Sequence, residues 1–243
     1  IMKKTVIIIP ARYSSTRLCG KLLMEVDSKP IIQWVWEAAK KSKLADEIII
    51  ATDSELIFNK AKDFGANVEM TSVEHKSGSD RICEVAKRHG EYDYILNMQG
   101  DEPQITPEVI DLAISTLTKN DCDISTLVRQ ITDIEQIQDP NCVKCVFDND
   151  FNALYFSRCP IPYERNKGEA NYYAHIGIYG YKRESLIKMT SLEQSDLEKA
   201  ESLEQLRALK NGMKIKVAIT KLNPIGIDTQ RDLNRFKNIV EKK

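Results

Sequence analysis

Between Thr5 and Val128 the chain alternates two kinds of segment, and that alternation limits the fold more than any other feature. Short runs at 5–9, 47–51, 67–70, 94–96 and 124–128, mostly β-branched or otherwise apolar, read as strands. Between them, apolar residues recur at helical spacing. Ile31, Ile32, Trp34, Val35, Ala38 and Ala39 do so behind Pro30, which suits a helix start. Further helical segments are expected at 56–64, stopped by Gly65, at 80–88, and behind Thr106-Pro107. Such alternation predicts an α/β fold of three layers around a mostly parallel sheet with right-handed crossovers.

The second half changes character. Runs 143–147 and 153–156 flank Asp148-Asn149-Asp150, a hairpin signal. Residues 157–170 carry prolines and mixed charge and read as a long excursion. A strand at 172–181, a charged helical region at 197–209, a strand at 213–219 and an amphipathic helix at 230–243 complete the pattern. The expectation is one mixed-sheet domain over 1–243, with 143–182 as a protruding hairpin and candidate interface segment.

At 243 residues and 42% hydrophobic, the chain is long enough for one large core. A formal net charge of −1 with interspersed signs argues against nucleic acid or an anionic membrane as partner. No apolar run reaches membrane-spanning length. Met2 leads almost at once into a strand, so no signal peptide is expected and a cytoplasmic location is. The six cysteines then favour free thiols over disulfides. Cys142 and Cys145 form a lone C-x-x-C in a strand-like run, where residues three apart face opposite ways, so a metal role is not expected.

Two loops carry candidate chemistry. In Asn97-Met98-Gln99-Gly100-Asp101-Glu102-Pro103 an acidic pair follows the strand at 94–96. Ligands of α/β sheets bind at the carboxyl ends of strands, and carboxylates there suit a hard cation such as Mg²⁺. The other loop follows the opening strand and holds Arg12, Ser14, Ser15, Thr16, Arg17, Gly20 and Lys21. Cations, hydroxyls and backbone N–H groups at a strand end can cradle a polyphosphate. It is not a Walker loop: Ser15 stands where glycine is needed, and Leu22 where Ser or Thr is.

The opening resembles the signature of nucleotide-activated sugar synthetases, most closely the 3-deoxy-manno-octulosonate (Kdo) cytidylyltransferase family. Further runs match that family in order: His75-Lys76-Ser77-Gly78-Ser79-Asp80-Arg81, Gln99 to Pro103, and Ala153 to Arg158 with Pro160-Ile161-Pro162-Tyr163. His175-Ile176-Gly177-Ile178-Tyr179, Leu203 to Leu209 and Gly226-Ile227-Asp228-Thr229 follow. Departures are Cys19, Leu22 and Gln230, where the family usually has proline. They touch loop rigidity more than chemistry.

The resemblance implies a Rossmann-like nucleotidyltransferase fold and a transfer reaction. CTP and a 3-deoxy sugar acid give CMP-Kdo and pyrophosphate, activating Kdo for lipopolysaccharide synthesis. It implies Mg²⁺ as cofactor and a homodimer. It places Asp101 and Asp228 as metal ligands; they are far apart in the chain, and the resemblance alone brings them together. Asp228 also suits a helix N-cap. Arg12 and Lys21, with Arg17, are expected on the triphosphate. Ser14, Thr52, Asp53, Ser77, Asp80, Arg81 and Gln99 are expected around the nucleotide. Asp80 and Arg81 could instead be an ordinary helix-start pair, since Asp is favourable near a helix N-terminus.

Arg158 is expected to grip the sugar carboxylate through its planar fork. Glu204 and Gln205, together with Gln99, are expected near the sugar hydroxyls. His175 reads either as a substrate contact or as a satisfied strand histidine. Two other functions stay open from sequence: transfer to an amino-substituted Kdo or N-acylneuraminate, and non-catalytic nucleotide binding on the same fold.

Overall fold

The computed structural model describes residues 3–14, 18–223 and 226–242. The chain forms two compact units, 1–111 with 224–243, and 112–223.

The first unit begins with β1 (Thr5–Ala11), buried along its whole length. β2 (Glu25–Val26) and β3 (Lys29–Pro30) form a small antiparallel ribbon across Asp27 and Ser28, both left-handed at φ 50° and 59°. Two consecutive positive φ values are the geometry of a tight hairpin turn. α1 (Ile31–Ala39) starts behind Pro30 and buries Ile31, Ile32, Val35, Trp36 and Ala39. β4 (Glu47–Thr52), α2 (Glu55–Asp63), β5 (Asn67–Met70), α3 (Gly78–Arg88) and β6 (Tyr94–Asn97) continue the alternation. Ser54 and Ser77 cap α2 and α3 by accepting from Ile57 N and Asp80 N.

The strands lie in the order β6-β1-β4-β5, all parallel. Ile7, Ile8, Ile9, Ile49, Ile50 and Ile95 are at most 1% exposed. Each such side chain contributes roughly 1.5–3 kcal/mol by burial. α1 packs on β1 and β4, α2 on β4 and β5, and α3 on β1, β4 and β6. The division between the units falls within α4 (Pro107–Thr118).

The second unit is built on β7 (Ile124–Ile131), α5 (Ile134–Gln138), β8 (Lys144–Phe147), β9 (Ala153–Ser157) and β10 (Tyr172–Lys182). α6 (Arg183–Ser191), α7 (Asp196–Glu201), α8 (Gln205–Lys210) and β11 (Ile215–Ile219) follow. β7 runs parallel to β11 and antiparallel to β10. β8 and β9 form the expected hairpin, and β8 meets β10 at Lys144. Gly180 is obligatory in β10: a Cβ there would lie 2.4 Å from Ser125 Oγ.

The helix expected over 197–209 is two helices. A capping box of Ser195 and Glu198 opens α7, and Ser202 ends it in the left-handed region at φ 52°. The sequence reading did not resolve α5, α6 or the β2–β3 ribbon. The last helix, α9 (Gln230–Glu241), belongs to the first unit, where it packs on β2 and sets Phe236 edge-on to Trp34 at 5.6 Å.

Candidate active site

In the first unit the connections from β1 lead to β4 on one side, while β6, fourth in chain order among these parallel strands, lies on the other. The loops leaving β1 and β6 therefore flank a topological switch point, where open α/β sheets hold ligands. Gly100 lets the two loops approach. A Cβ at that position would sit 3.1 Å from the Pro10 carbonyl oxygen and 3.2 Å from Ile32 Cδ1.

Lys21 opens a single 3₁₀ turn, Lys21–Leu23, behind Gly20 at φ 67°. Its Nζ donates to Asp101 Oδ2 at 2.5 Å and to Asp228 Oδ1 at 2.9 Å. The Ile227 amide donates to the Asp101 carbonyl at 2.8 Å, which draws the Asp228 loop against the β6 loop. Asp228 is not the cap of α9. Thr229 is, in a reciprocal box with Asp232, and this leaves the Asp228 carboxylate to face Lys21. Burial opposes the charge on Lys21, yet Asp101 first and Asp228 second hold its pKa above the ordinary lysine value.

Glu102, the second member of the acidic pair and not among the expected metal ligands, completes an acidic corner. Its Oε2 is buried without a hydrogen-bond partner. Desolvation, helped by the charges of Asp101 and Asp228, pushes its carboxyl up to about 8, so it is largely protonated at neutral pH. Among the described residues there is no cluster of three or more His, Cys, Asp or Glu able to hold a metal. The pair Asp101 and Asp228 is what converges on a cation.

A cleft of about 320 Å³ opens here, lined by Arg12, Ser14, Lys21, Gln99 and Asp101 with Pro10, Leu22, Gly78 and Gly100. Five of the sequence-predicted residues thus meet at one place. Arg17 lies outside the described residues. Thr52, Asp53, Ser77, Asp80 and Arg81 do not line the cleft and have local partners or positions instead. Thr52 Oγ1 accepts from Ser54 N, Ser77 caps α3, and Asp80 sits in that helix's first turn. Arg81 is fully buried; Nη2 donates to Asp53 Oδ2 at 2.5 Å and Nη1 to Thr71 Oγ1 at 2.5 Å. That pairing ties α3 to the end of β4.

In the second unit, Arg158 differs from the free fork that was expected. It donates from all three guanidinium nitrogens to carbonyls: Nε to Glu201 at 2.6 Å, Nη1 to Pro140 at 2.9 Å and Nη2 to Ser202 at 3.2 Å. The isolated sequence carried no signal of these partners. Glu204 sits at the N-terminus of α8 and Gln205 in its first turn. A buried pair, Arg207 Nε to Glu198 Oε2 at 2.8 Å and Nη2 to Oε1 at 2.6 Å, locks α8 to α7 and so fixes both residues.

His175 Nε2 meets Thr126 Oγ1 at 3.0 Å, and its ring packs on Phe156 and Tyr179, each 5.2 Å between centroids. Desolvation pushes its pKa down to about 4, so the ring is neutral at pH 7. Tyr179 was quoted in a motif but assigned nothing. Burial first, then the charges of Tyr181 and Glu204, raise its phenol well above the ordinary value. A cavity of about 740 Å³ in this unit is lined by other residues, among them Ile134, Tyr163 and Tyr172.

The sheet order and the cation–carboxylate arrangement define a nucleotidyltransferase-like α/β protein, and comparison with known proteins sharpens this. The family model described as cytidylyltransferase matches residues 6–215. The 3-deoxy-manno-octulosonate cytidylyltransferase of Fusobacterium nucleatum is 48% identical over 97% of this chain and 96% of its own. That of Thermodesulfovibrio yellowstonii is 46% identical over 94% and 95%. A solved structure of CMP:2-keto-3-deoxy-manno-octonic acid synthetase complexed with CTP superposes with a TM-score of 0.96 at 38% identity, covering 99% of both chains. The chain belongs to the 3-deoxy-manno-octulosonate cytidylyltransferase family.

Proposed function

We propose that this protein transfers the cytidylyl group of CTP to Kdo, releasing pyrophosphate and CMP-Kdo. The observation that carries this reading is Lys21 held between Asp101 and Asp228 at a cleft lined by Arg12, Ser14 and Gln99. Family membership and the CTP named in the similar solved structure supply the nucleotide and the acceptor.

A sugar hydroxyl oxygen attacks the α-phosphorus, its proton passes to solvent, and the bond to the β-phosphate oxygen breaks. Such chemistry depends on positioning and charge neutralisation. Arg12 and Lys21, with Arg17, neutralise the triphosphate. Ser14 and Gln99 orient the nucleotide, and Gln99 reaches toward the sugar acid. Thr52, Asp53, Ser77, Asp80 and Arg81 support the nucleotide side from behind the cleft, through the Arg81–Asp53 pair and the capped start of α3. His175, Glu204 and Gln205 serve the sugar acid, with Arg158 organising the 201–202 turn that precedes Glu204 and Gln205.

Asp101 and Asp228 fit Mg²⁺: two carboxylates already gather about one cationic group, and Mg²⁺ is usually held by one or two carboxylates, waters and substrate phosphates. When bound it would supply further charge neutralisation for the leaving pyrophosphate. Both units are assigned to one nucleotidyltransferase domain. A second copy of the chain is the proposed partner, meeting it through 143–182, where Leu154 and Tyr163 stand 61% and 87% exposed. The exposed thiols of Cys19 and Cys159 and the use of CTP favour the cytoplasm.

The test is pyrophosphate release from CTP with Mg²⁺ and a panel of Kdo, an amino-substituted Kdo and N-acetylneuraminate. Release with Kdo above the others is expected. Preference for another acid replaces the acceptor, and no release with any of them, from protein that binds CTP, leaves a binding protein.

A further inference from the structure

Beyond the residues that line the cleft, the structure assigns His75 and Glu84 a positioning role: together they fix the loop whose backbone carbonyl holds Arg12. This inference rests on the reading of Arg12 as a triphosphate ligand. The loop, residues 71–77, joins β5 to α3 and has no regular structure; Val73 is 70% exposed. Its last residues begin the run that matches the family, but no sequence reading pairs His75 with Arg12, 63 positions earlier.

Arg12 Nη2 donates to the His75 carbonyl oxygen at 2.9 Å. Among the described residues this is the one hydrogen bond of that guanidinium, so most of its donors stay available to an anion. A long side chain loses rotamer freedom when it binds, and a carbonyl already in place removes part of that cost from the binding step. The carbonyl is useful only if the loop holds still.

Glu84 holds it. From the second turn of α3, its Oε2 accepts from the Ser72 amide at 3.0 Å and also meets His75 Nε2. One carboxylate thus grips both ends of the exposed stretch. Glu84 is itself braced. Arg88, one turn further along α3, pairs with its Oε1, and also donates to the Met70 carbonyl at 2.9 Å and to Glu69 at 3.1 Å. Burial opposes the Glu84 charge, but the Ser72 amide, His75 and Arg88 outweigh it and hold the pKa below the ordinary carboxylate value. The carboxylate is therefore a fixed anion on a rigid helix. The chain of contacts runs from helix to loop to carbonyl to the cleft cation.

The experiment measures CTP affinity by calorimetry in the full-length protein, alongside thermal unfolding and the KM for each substrate. His75→Ala and Glu84→Ala should each weaken CTP about fivefold or more, the scale of one lost positioning hydrogen bond. The sugar-acid KM should stay within about twofold, because the defect is confined to the Arg12 side. His75→Gln, which keeps an N–H able to reach the carboxylate, should restore affinity toward that of the unaltered protein. In an Arg12→Ala background the His75→Ala effect should vanish. A purely structural loop would show the same loss with or without Arg12, and that result overturns the inference. So does a folded His75→Ala protein with unaltered CTP affinity. If Arg12→Ala itself leaves CTP affinity unchanged, this inference fails while the cytidylyltransferase reading stands. Failure of the unaltered protein to bind CTP sinks both.

Discussion

Lys21 and Asp228 stand 207 positions apart in the chain, yet Lys21 Nζ donates to Asp228 Oδ1 at 2.9 Å. The contact exists because two other interactions set it up. The 3₁₀ turn after β1 directs Lys21 inward, and the Ile227 amide bonds to the Asp101 carbonyl beside β6. Asp101 then takes the same ammonium from the other side. Three loops that share no sequence neighbourhood become one charged centre. Lys21 is mostly buried there, so its charge is screened less than that of a surface lysine.

Asp101→Asn and Asp228→Asn should each lower turnover by ~10²-fold or more, comparable to removing one electrostatic stabiliser from a preorganised site. Each change keeps the shape and removes the charge. Steady-state rates at saturating Mg²⁺ check this. Near-normal turnover in both variants refutes the metal-ligand assignment.

Arg158→Lys should destabilise the second unit by about 1–3 kcal/mol, since a point ammonium cannot meet three separate carbonyls and leaves some unsatisfied. The sugar-acid KM should rise with it, because Ser202 precedes Glu204 and Gln205, while the CTP KM should not. Thermal unfolding and the two KM values decide. A variant with unaltered stability and a raised sugar-acid KM would return Arg158 to direct carboxylate binding.

His175 gives a pH prediction whose sign follows from its depressed pKa. The folded protein keeps the ring neutral down to about 4, whereas the unfolded chain protonates it near the ordinary histidine value. Stability from this group is therefore present above about pH 6.5 and is lost as pH falls toward 4. By linkage the loss at pH 5 is ~2 kcal/mol. His175→Asn should flatten the fall in melting temperature between pH 7 and pH 5. An unaltered slope refutes the burial account.

Cys19 is exposed in the loop that follows β1, and Cys159 is exposed in the second unit. Cys122 is buried, and burial raises its thiol pKa, so it should label slowly in any state. Bound CTP with Mg²⁺ should slow alkylation of Cys19 and leave Cys159 unchanged. Mass spectrometry of the labelled peptides reads this directly. Equal Cys19 rates with CTP bound would mean that the loop does not cover the nucleotide.

Much of the fold was legible in the residues because local physics dictates it. β-branched runs such as 5–9 can do little but form buried strands, and Pro30 and Gly65 mark helix ends by their own backbone preferences. The family resemblance likewise implied one site for Arg12, Lys21, Gln99 and Asp101, and the strand order, with its switch point, is what brings their loops together. What the sequence could not determine depends on pairing across distance. Ser202 carries no mark of a helix break, since a left-handed serine is fixed by the capping box that precedes it and the Glu198–Arg207 pair that spans it. Arg158 was expected on the sugar carboxylate and Arg81 near the nucleotide, but only packing decides whether an arginine faces a cleft or pairs with carbonyls and a carboxylate. Glu102, His75 and Glu84 are ordinary residue types in isolation. Their environment, with charge buried beside charge and an exposed loop gripped by a neighbouring helix, exists only in the folded chain.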